Sequence, residues 1–202
     1  MPQFLISSKD VKNDKIVICD KENYVHIAKS LRIRVGEKLL LIDENQIQYE
    51  TVVKEISNKD ITVSVENSYK SDRKLSFRLY LAQVPLRSDA QSIIIEKATE
   101  LGADGVYPIV SDNCALNRNV IQKKIPKWQR IMFEAFKQCE RAYVPKCFEL
   151  TDIETIIKSD CRVIAFCERY SKTTIHDYFS SKPIKNDEKI IVIIGPEGGF
   201  SD

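Results

Sequence analysis

Up to about residue 67, apolar and polar positions alternate in short, β-branched runs: Gln3–Ser7, Lys15–Ile18, Lys38–Ile42, Gln48–Ile56 and Ile61–Val65. A period of two marks strands with one buried face. The polar tetrads Asp43-Glu44-Asn45-Gln46 and Ser57-Asn58-Lys59-Asp60 join neighbouring runs at hairpin length, so the region predicts a small antiparallel β barrel or sandwich. One helix interrupts it from about 21 to 31, with Asp20 or Asn23 as cap, Tyr24, Ile27 and Leu31 on one face, and Gly36 closing the connection. The stretch from Asn67 to Lys74 is polar, charged and without apolar period, and predicts a linker.

From Leu75 the rhythm changes. A strand at Phe77–Ala82 is followed by Pro85 and a helix from Ser88, where Ser88 and Gln91 have capping-box spacing and Gly102 supplies the stop. A strand at Val106–Val110 precedes a helix predicted from Pro126, at its first turn, to about Ala142. Strands at Arg162–Cys167 and Lys189–Ile194 follow, with helical stretches near 152–158 and 173–180. Strands alternating with helices, the last strand apolar throughout, indicate a parallel sheet covered on both faces. The expected fold class is α/β with a small β domain in front, bounded at 1–70 and 74–202.

Composition narrows this picture. The chain has 202 residues, 43% of them hydrophobic, with only six Gly and seven Pro, which excludes collagen-like and broadly disordered readings. The longest aliphatic run, Ile190 to Ile194, is far shorter than a membrane helix of ~20 residues. The N-terminus shows no secretory pattern, so a cytoplasmic protein without membrane contact is expected. The six cysteines include no C-x-x-C pair and read as reduced and structural; His26 and His176 have no Cys or His partner at metal spacing, so no metal is expected.

The net charge of +2 hides an uneven distribution. Residues 73–146 hold 13 Lys and Arg against 7 Asp and Glu, and the whole of that +6 sits in residues 118–146: Arg118, Lys123, Lys124, Lys127, Arg130, Lys137, Arg141 and Lys146 against Glu134 and Glu140. Such a concentration is either a solvated helix face or a surface for a phosphate backbone. Within the helix predicted at 126–142, Trp128, Ile131, Met132, Ala135, Phe136 and Cys139 form the core face. Lys127, Arg130, Glu134, Lys137, Gln138 and Arg141 form the polar one. Gln138 and Arg141 fall one turn apart there, where a guanidinium could clamp a phosphate or a base edge.

Half of the glycines lie in the last eight residues, in Ile194-Gly195-Pro196-Glu197-Gly198-Gly199-Phe200. A glycine-rich segment after a strand of an open α/β sheet is placed to let backbone approach a ligand. It follows neither the P-loop nor the dinucleotide spacing, and a plain strand-to-helix turn is the other reading.

The run Glu96 to Gly102, then Trp128, Arg130-Ile131, Glu134-Ala135, Gln138-Cys139, Arg141 and Pro145, then Gly195-Pro196-Glu197-Gly198-Gly199-Phe200, resembles the bacterial 16S rRNA (uracil-N3)-methyltransferase family of the SPOUT superfamily. His26, Leu31-Arg32 and Gly36 fit that family's PUA-like N-terminal β domain. The resemblance implies S-adenosylmethionine as methyl donor, a C-terminal trefoil knot holding it, a homodimer, and a uridine of the small-subunit rRNA as acceptor. It points to Phe166, Cys167, Glu168, Ile194, Gly195, Glu197, Gly198 and Gly199 for the donor. Arg141 is expected to contact base or phosphate, with Glu134 and Glu197 as secondary candidates for handling the proton. RNA contact falls to His26, Arg32, Arg34, Lys97, Arg118, Lys127, Arg130 and Gln138.

Two departures accompany it. The family commonly carries an arginine in its first few residues and an Arg-Ser pair after the second strand of the α/β domain; here the first arginine is Arg32, and Asp112-Asn113-Cys114 stands at the second place. Family members also continue past the Gly-Gly-Phe segment through a helix, a Leu-Gly strand and a last helix that completes the knot, so a C-terminally incomplete α/β domain is expected. The alternative from another class is a non-catalytic RNA-binding protein.

Overall fold

The computed structural model describes residues 3–87, 89–167 and 173–200, and the chain divides into two units: Met1–Lys74 with Lys137–Tyr143, and Leu75–Phe136 with Val144–Asp202.

The first unit is built on six strands, β1 (Gln3–Ile6), β2 (Val11–Lys12), β3 (Lys15–Ile18), β4 (Lys38–Asp43), β5 (Ile47–Ile56) and β6 (Ile61–Lys70), in the order β1-β4-β5-β6-β3-β2. The sheet is mixed, which corrects the antiparallel expectation: β1 runs parallel to β4, with Gln3 opposite Leu40. Alternation reports which face is buried and says nothing of direction, and the long β2–β3 and helical excursion between these strands permits the parallel return. Phe4, Ile16, Ile18, Leu39, Leu41, Val53, Ile61 and Val63 fill the core with Ile27 from the helical segment.

That segment is α1 (Lys21–Tyr24), capped by Asp20, whose carboxylate accepts the Asn23 N–H at 2.8 Å. The single helix expected over 21–31 instead widens into a π turn at Val25–Ser30. The Leu31 N–H reaches back five residues to the His26 carbonyl at 2.9 Å, and Leu31 stays 43% exposed rather than joining the face of Ile27.

The expected linker over 67–74 is also shorter than the polarity suggests. β6 continues to Lys70, pairing Ser68, Tyr69 and Lys70 with Tyr49, Gln48 and Ile47, because the start of β5 offers ladder partners whatever the side chains. Buried Asp43 organises the hairpin before it: one carboxylate oxygen accepts the N–H groups of Asn45 and Ile47, the other the Tyr49 hydroxyl at 3.0 Å. Burial, reinforced by that carboxylate, pushes the Tyr49 phenol up to about 12.

The second unit carries β7 (Arg78–Gln83), α2 (Asp89–Glu100), β8 (Gly105–Val110), α3 (Arg118–Gln138), β9 (Lys146–Cys147), β10 (Thr151–Asp152), α4 (Ile153–Ile157), β11 (Arg162–Phe166), α5 (Ile175–Ser181) and β12 (Lys189–Ile194). The sheet order is β10-β8-β7-β12-β11, every neighbour parallel, with β9 a second short partner on the outer edge of β8. Leu81 and Val106 pack with Ile95 of α2 and Ile121, Ile125, Trp128 and Met132 of α3 on one face. Ala82, Ile109, Ile191 and Ile193 pack with Ile156 of α4 on the other.

Two local expectations change here. Ser88 lies outside the described residues, and the Gln91 side chain, 2% exposed, accepts the Leu86 N–H at 2.9 Å. The helix expected at 126–142 runs from Arg118 to Gln138, with Pro126 inside it. Asn117 starts it, its side-chain oxygen accepting the Val120 N–H at 3.0 Å. Pro126 deprives the Gln122 carbonyl of its donor, but both residues are exposed, so water can serve that carbonyl while Ile121 and Ile125 stay buried. At the other end the chain turns at Glu140, with φ +52°, so Arg141 stands beyond the helix and is not one turn from Gln138. Lys137, expected on the solvent face, is 3% exposed and Arg141 6%. All six cysteines are free, and no helix among the described residues is long and apolar enough to cross a membrane.

Candidate functional site

Parallel strands send their carboxyl ends to one edge, and in the second unit this edge gathers the exits of β7, β8, β11 and β12. β12 leaves into Gly195 held on both sides. The Val84 N–H donates to the Ile194 carbonyl at 3.1 Å. The buried Gln83 amide donates to the Val84 carbonyl at 2.8 Å and to that of Gly195 at 3.3 Å. The chain then closes a tight turn, the Gly199 N–H donating to the Pro196 carbonyl at 2.9 Å. Gly199 has φ +72°, a backbone state that side chains other than glycine's rarely adopt. The Asn113 amide, from the β8 exit, donates to the Gly199 carbonyl at 3.2 Å.

Glycine at 195 is required by its neighbour: a Cβ there would stand 3.0–3.2 Å from three ring atoms of Phe200. The result is a strand end followed by a turn with backbone uncovered, Glu197, Gly198 and Gly199 being exposed and Gly195 half-buried. Beside it, Ile194 is 40% and Phe166, which pairs with it across β11 and β12, 39% exposed. Cys167 follows, half-buried. Thus Phe166, Cys167, Ile194, Gly195, Glu197, Gly198 and Gly199 come together at one edge, and Glu168 lies outside the described residues. Apolar side chains next to bare peptide groups suit a ligand with both a flat apolar part and hydrogen-bonding ends, and at Gly199, where a Cβ would meet nothing within 4 Å, the backbone is open to a close-lying small molecule.

The other candidates are placed differently. α3 begins at this edge, where Arg118 pairs with Asp152, the last residue of β10. It runs back along the sheet, since Gln129 bonds Pro145 and Cys147 beside the start of β8. Glu134 lies 16 residues past Arg118, about 24 Å along the axis, so one chain does not bring it to the glycine turn. Lys127 and Arg130 are exposed on α3, as is Gln138 at its end. Lys97, exposed on α2, sits between Glu96 and Glu100 at 2.8 and 2.9 Å, and these carboxylates raise its pKa. In the first unit, His26 packs edge-on against Phe4 with centroids 5.3 Å apart. Arg32 is exposed with φ +53°, and Arg34 is exposed beside Glu37, whose carboxylate accepts its N–H at 2.9 Å. Buried Arg141 lies over the Tyr143 ring at 5.5 Å, and its carbonyl accepts from Gln3 at 2.7 Å.

Gln83 and Asn113 are contributors that residue patterns do not single out. A polar residue closing an apolar strand just before Pro85 is the one local hint, at Gln83.

A mixed β unit joined to a parallel α/β unit with a glycine turn at its carboxyl edge defines a two-unit α/β protein with its candidate ligand site on the second unit. Residues 73–202 match the RNA methyltransferase domain and residues 18–66 the RNA methyltransferase PUA domain. The chain belongs to the RNA methyltransferase family. It is similar to the ribosomal RNA small subunit methyltransferase E of Rickettsia conorii, 25% identical over 98% of this chain and 78% of that one. It is also similar to the protein of that name from Bacillus subtilis, 24% identical over 90% and 73%. In fold it matches a crystal structure of ribosomal RNA small subunit methyltransferase E from Neisseria gonorrhoeae bound to S-adenosyl methionine. The TM-score there is 0.79, with 21% identity over 100% of this chain and 82% of that one.

Proposed function

We propose that this chain methylates N3 of a uridine in the 16S rRNA of the small ribosomal subunit, in the cytoplasm, with S-adenosylmethionine as donor. The observation that carries the reading is the Gly195–Phe200 turn at the carboxyl edge of the parallel sheet, within the stretch that matches the RNA methyltransferase domain. On this reading the peptide groups of Gly195, Gly198 and Gly199 receive the polar ends of the donor, and Ile194, Phe166 and Cys167 flank its apolar part, with Glu168 in the same set. The bound donor supplies an electrophilic methyl group on a sulfonium. The chain's own residues hold the glycine turn open, through Gln83 and Asn113, and present the acceptor edge to it.

The finer architecture belongs to the same proposal: a PUA-like barrel over 1–70 that binds RNA, and a SPOUT-type knotted donor site in the domain from 74 onward. His26, Arg32, Arg34, Lys97, Arg118, Lys127, Arg130 and Gln138 are its RNA-contact set. Arg141 is assigned to base or phosphate contact and Glu134 to proton handling. Because Glu134 is an α3 length from the glycine turn of its own chain, it serves this role in a homodimer, at the turn of a second copy.

Incubation with isotopically labelled S-adenosylmethionine and small subunits lacking the modification tests the reading. Label at N3 of a uridine is the expected result, and absence of transfer overturns it in favour of a non-catalytic RNA-binding protein.

A further inference from the structure

β8 and β10 are adjacent, yet the chain leaves them towards opposite faces, β8 to α3 and β10 to α4. Neighbouring strands with diverging exits open a crevice at the carboxyl edge, the general place for ligands in open α/β sheets. A cavity of about 870 Å³ lies there, lined from residues 110–118, 152–158 and Phe200. Small-molecule sites typically span about 300–1,000 Å³.

Its chemistry is selective. Phe200 and Ile153 give it apolar walls. Ser111 stands in its lining, with its hydroxyl oxygen buried in the wall and without a hydrogen-bond partner among the described residues; a hydroxyl can both donate and accept. Arg118 and Asp152, paired with each other, offer donors and an acceptor side by side. The charged side chains around the cavity are two cations against three carboxylates, which disfavours a free phosphate. A flat, neutral heterocycle with donors and acceptors along one edge is the complementary guest.

Two contacts join the crevice to the glycine turn. Phe200 lines the one and abuts Gly195 in the other, and Asn113, from the same β8 exit, holds Gly199. From the crevice α3 carries exposed Lys123, Lys127 and Arg130 outward, suited to the backbone of a nucleic acid whose base enters here.

We propose that this crevice seats the everted acceptor pyrimidine of the RNA, next to the glycine turn. Enzymes that act on a base take it out of the stack and read its edge by hydrogen bonds and its faces by apolar contact. The inference rests on the RNA-methylating reading above.

The test is an NMR titration of the chain with uridine, uridine 5′-monophosphate and inorganic phosphate. Saturable shifts around Ser111, Ile153 and Phe200 are expected with both nucleosidic probes and not with phosphate. Thr155→Trp fills the crevice from an exposed position on its wall, and Ser111→Val removes the orphan hydroxyl. Each should weaken uridine binding at least about tenfold, while calorimetry shows S-adenosylmethionine affinity within about twofold of the parent. Shifts that map elsewhere, uridine affinity that neither variant changes, or competition by phosphate alone would overturn the crevice assignment. Uridine bound in the crevice of a chain that transfers no methyl to small subunits would fault the methyltransferase reading and leave the crevice standing as a base-binding site.

Discussion

Asn113 and Gly199 stand 86 residues apart in the chain and are joined by one hydrogen bond, from the Asn113 amide to the Gly199 carbonyl. This bond ties the β8 exit to the turn after β12, with the Asn113 side chain also 3.7 Å from where a Cβ on Gly198 would lie. A single such bond contributes about 0.5–1.5 kcal/mol. Asn113→Ala is therefore expected to weaken donor binding about 2- to 12-fold, measured by calorimetry with S-adenosylmethionine, with thermal unfolding nearly unchanged.

Gly195→Ala tests the other wall of the turn. The added methyl meets a ring, not backbone, so Phe200 can yield by a few tenths of an ångström and the fold survives. Global stability should fall by no more than about 1 kcal/mol in urea unfolding, while the displaced ring weakens donor binding in calorimetry.

Gly105→Ala should behave in the opposite way. Its Cβ would come to 2.5 Å from Phe148 and 2.7 Å from the backbone carbonyl of Lys146, at the β8–β9 pairing. Backbone cannot step aside cheaply, and overpacking of this kind costs about 1–3 kcal/mol. A lowered urea midpoint with an unchanged slope is the expected result.

Alkaline pH should weaken the first unit through Tyr49. Its folded pKa, about 12, exceeds the ordinary value of 10, so the folded state holds the proton more tightly. Its contribution is complete below pH 10 and is lost as pH rises towards 12, by about 2–3 kcal/mol at most. In the second unit Cys147, pushed by burial to about 12 from 9, brings a separate loss of the same sign beginning near pH 9. Urea unfolding of Tyr49→Phe beside the parent isolates the tyrosine: the variant should show a shallower decline between pH 10 and 12.

Thiol labelling near pH 8 should sort the cysteines. Cys19 is exposed and is expected to react fastest with a disulfide reagent. Cys147, buried and held protonated, reacts only on unfolding. Mass mapping of partially labelled protein reads the order.

Local rules carry much of this fold. β12 is legible residue by residue because five successive aliphatics bounded by Lys189 and Gly195 match a strand buried on both faces. α3 is legible only from Pro126 onward. Proline at a first turn and proline on an exposed interior face satisfy the same local chemistry, and the decision falls to the Asn117 cap and the burial of Ile121 and Ile125. The ladder over Ser68, Tyr69 and Lys70 leaves no trace in their side chains, since it is made by backbone groups of β5.

The candidate site divides along the same line. Its glycine turn is visible because glycine is scarce elsewhere. Gln83, Asn113 and Ser111 are single polar residues whose significance lies in partners or cavities formed by distant segments, as in the 112-residue span from Gln83 to Gly195. Periodicity cannot report such contacts. Nor can it distinguish Lys137 and Arg141, both buried, from exposed Lys127 and Arg130.

The hydrogen bond from Gln3 to the Arg141 carbonyl spans 138 residues, and Ala142 bonds back to the Arg73 carbonyl. Loop closure over such a span is entropically costly and slow. During synthesis the first unit therefore remains unfinished until residue 143 has emerged, by which time β7, α2, β8 and α3 are already outside the ribosome. The two units mature in an interleaved order, and residues 1–74 made alone would lack the backbone partners that Gln3 and Arg73 find only in the later segment.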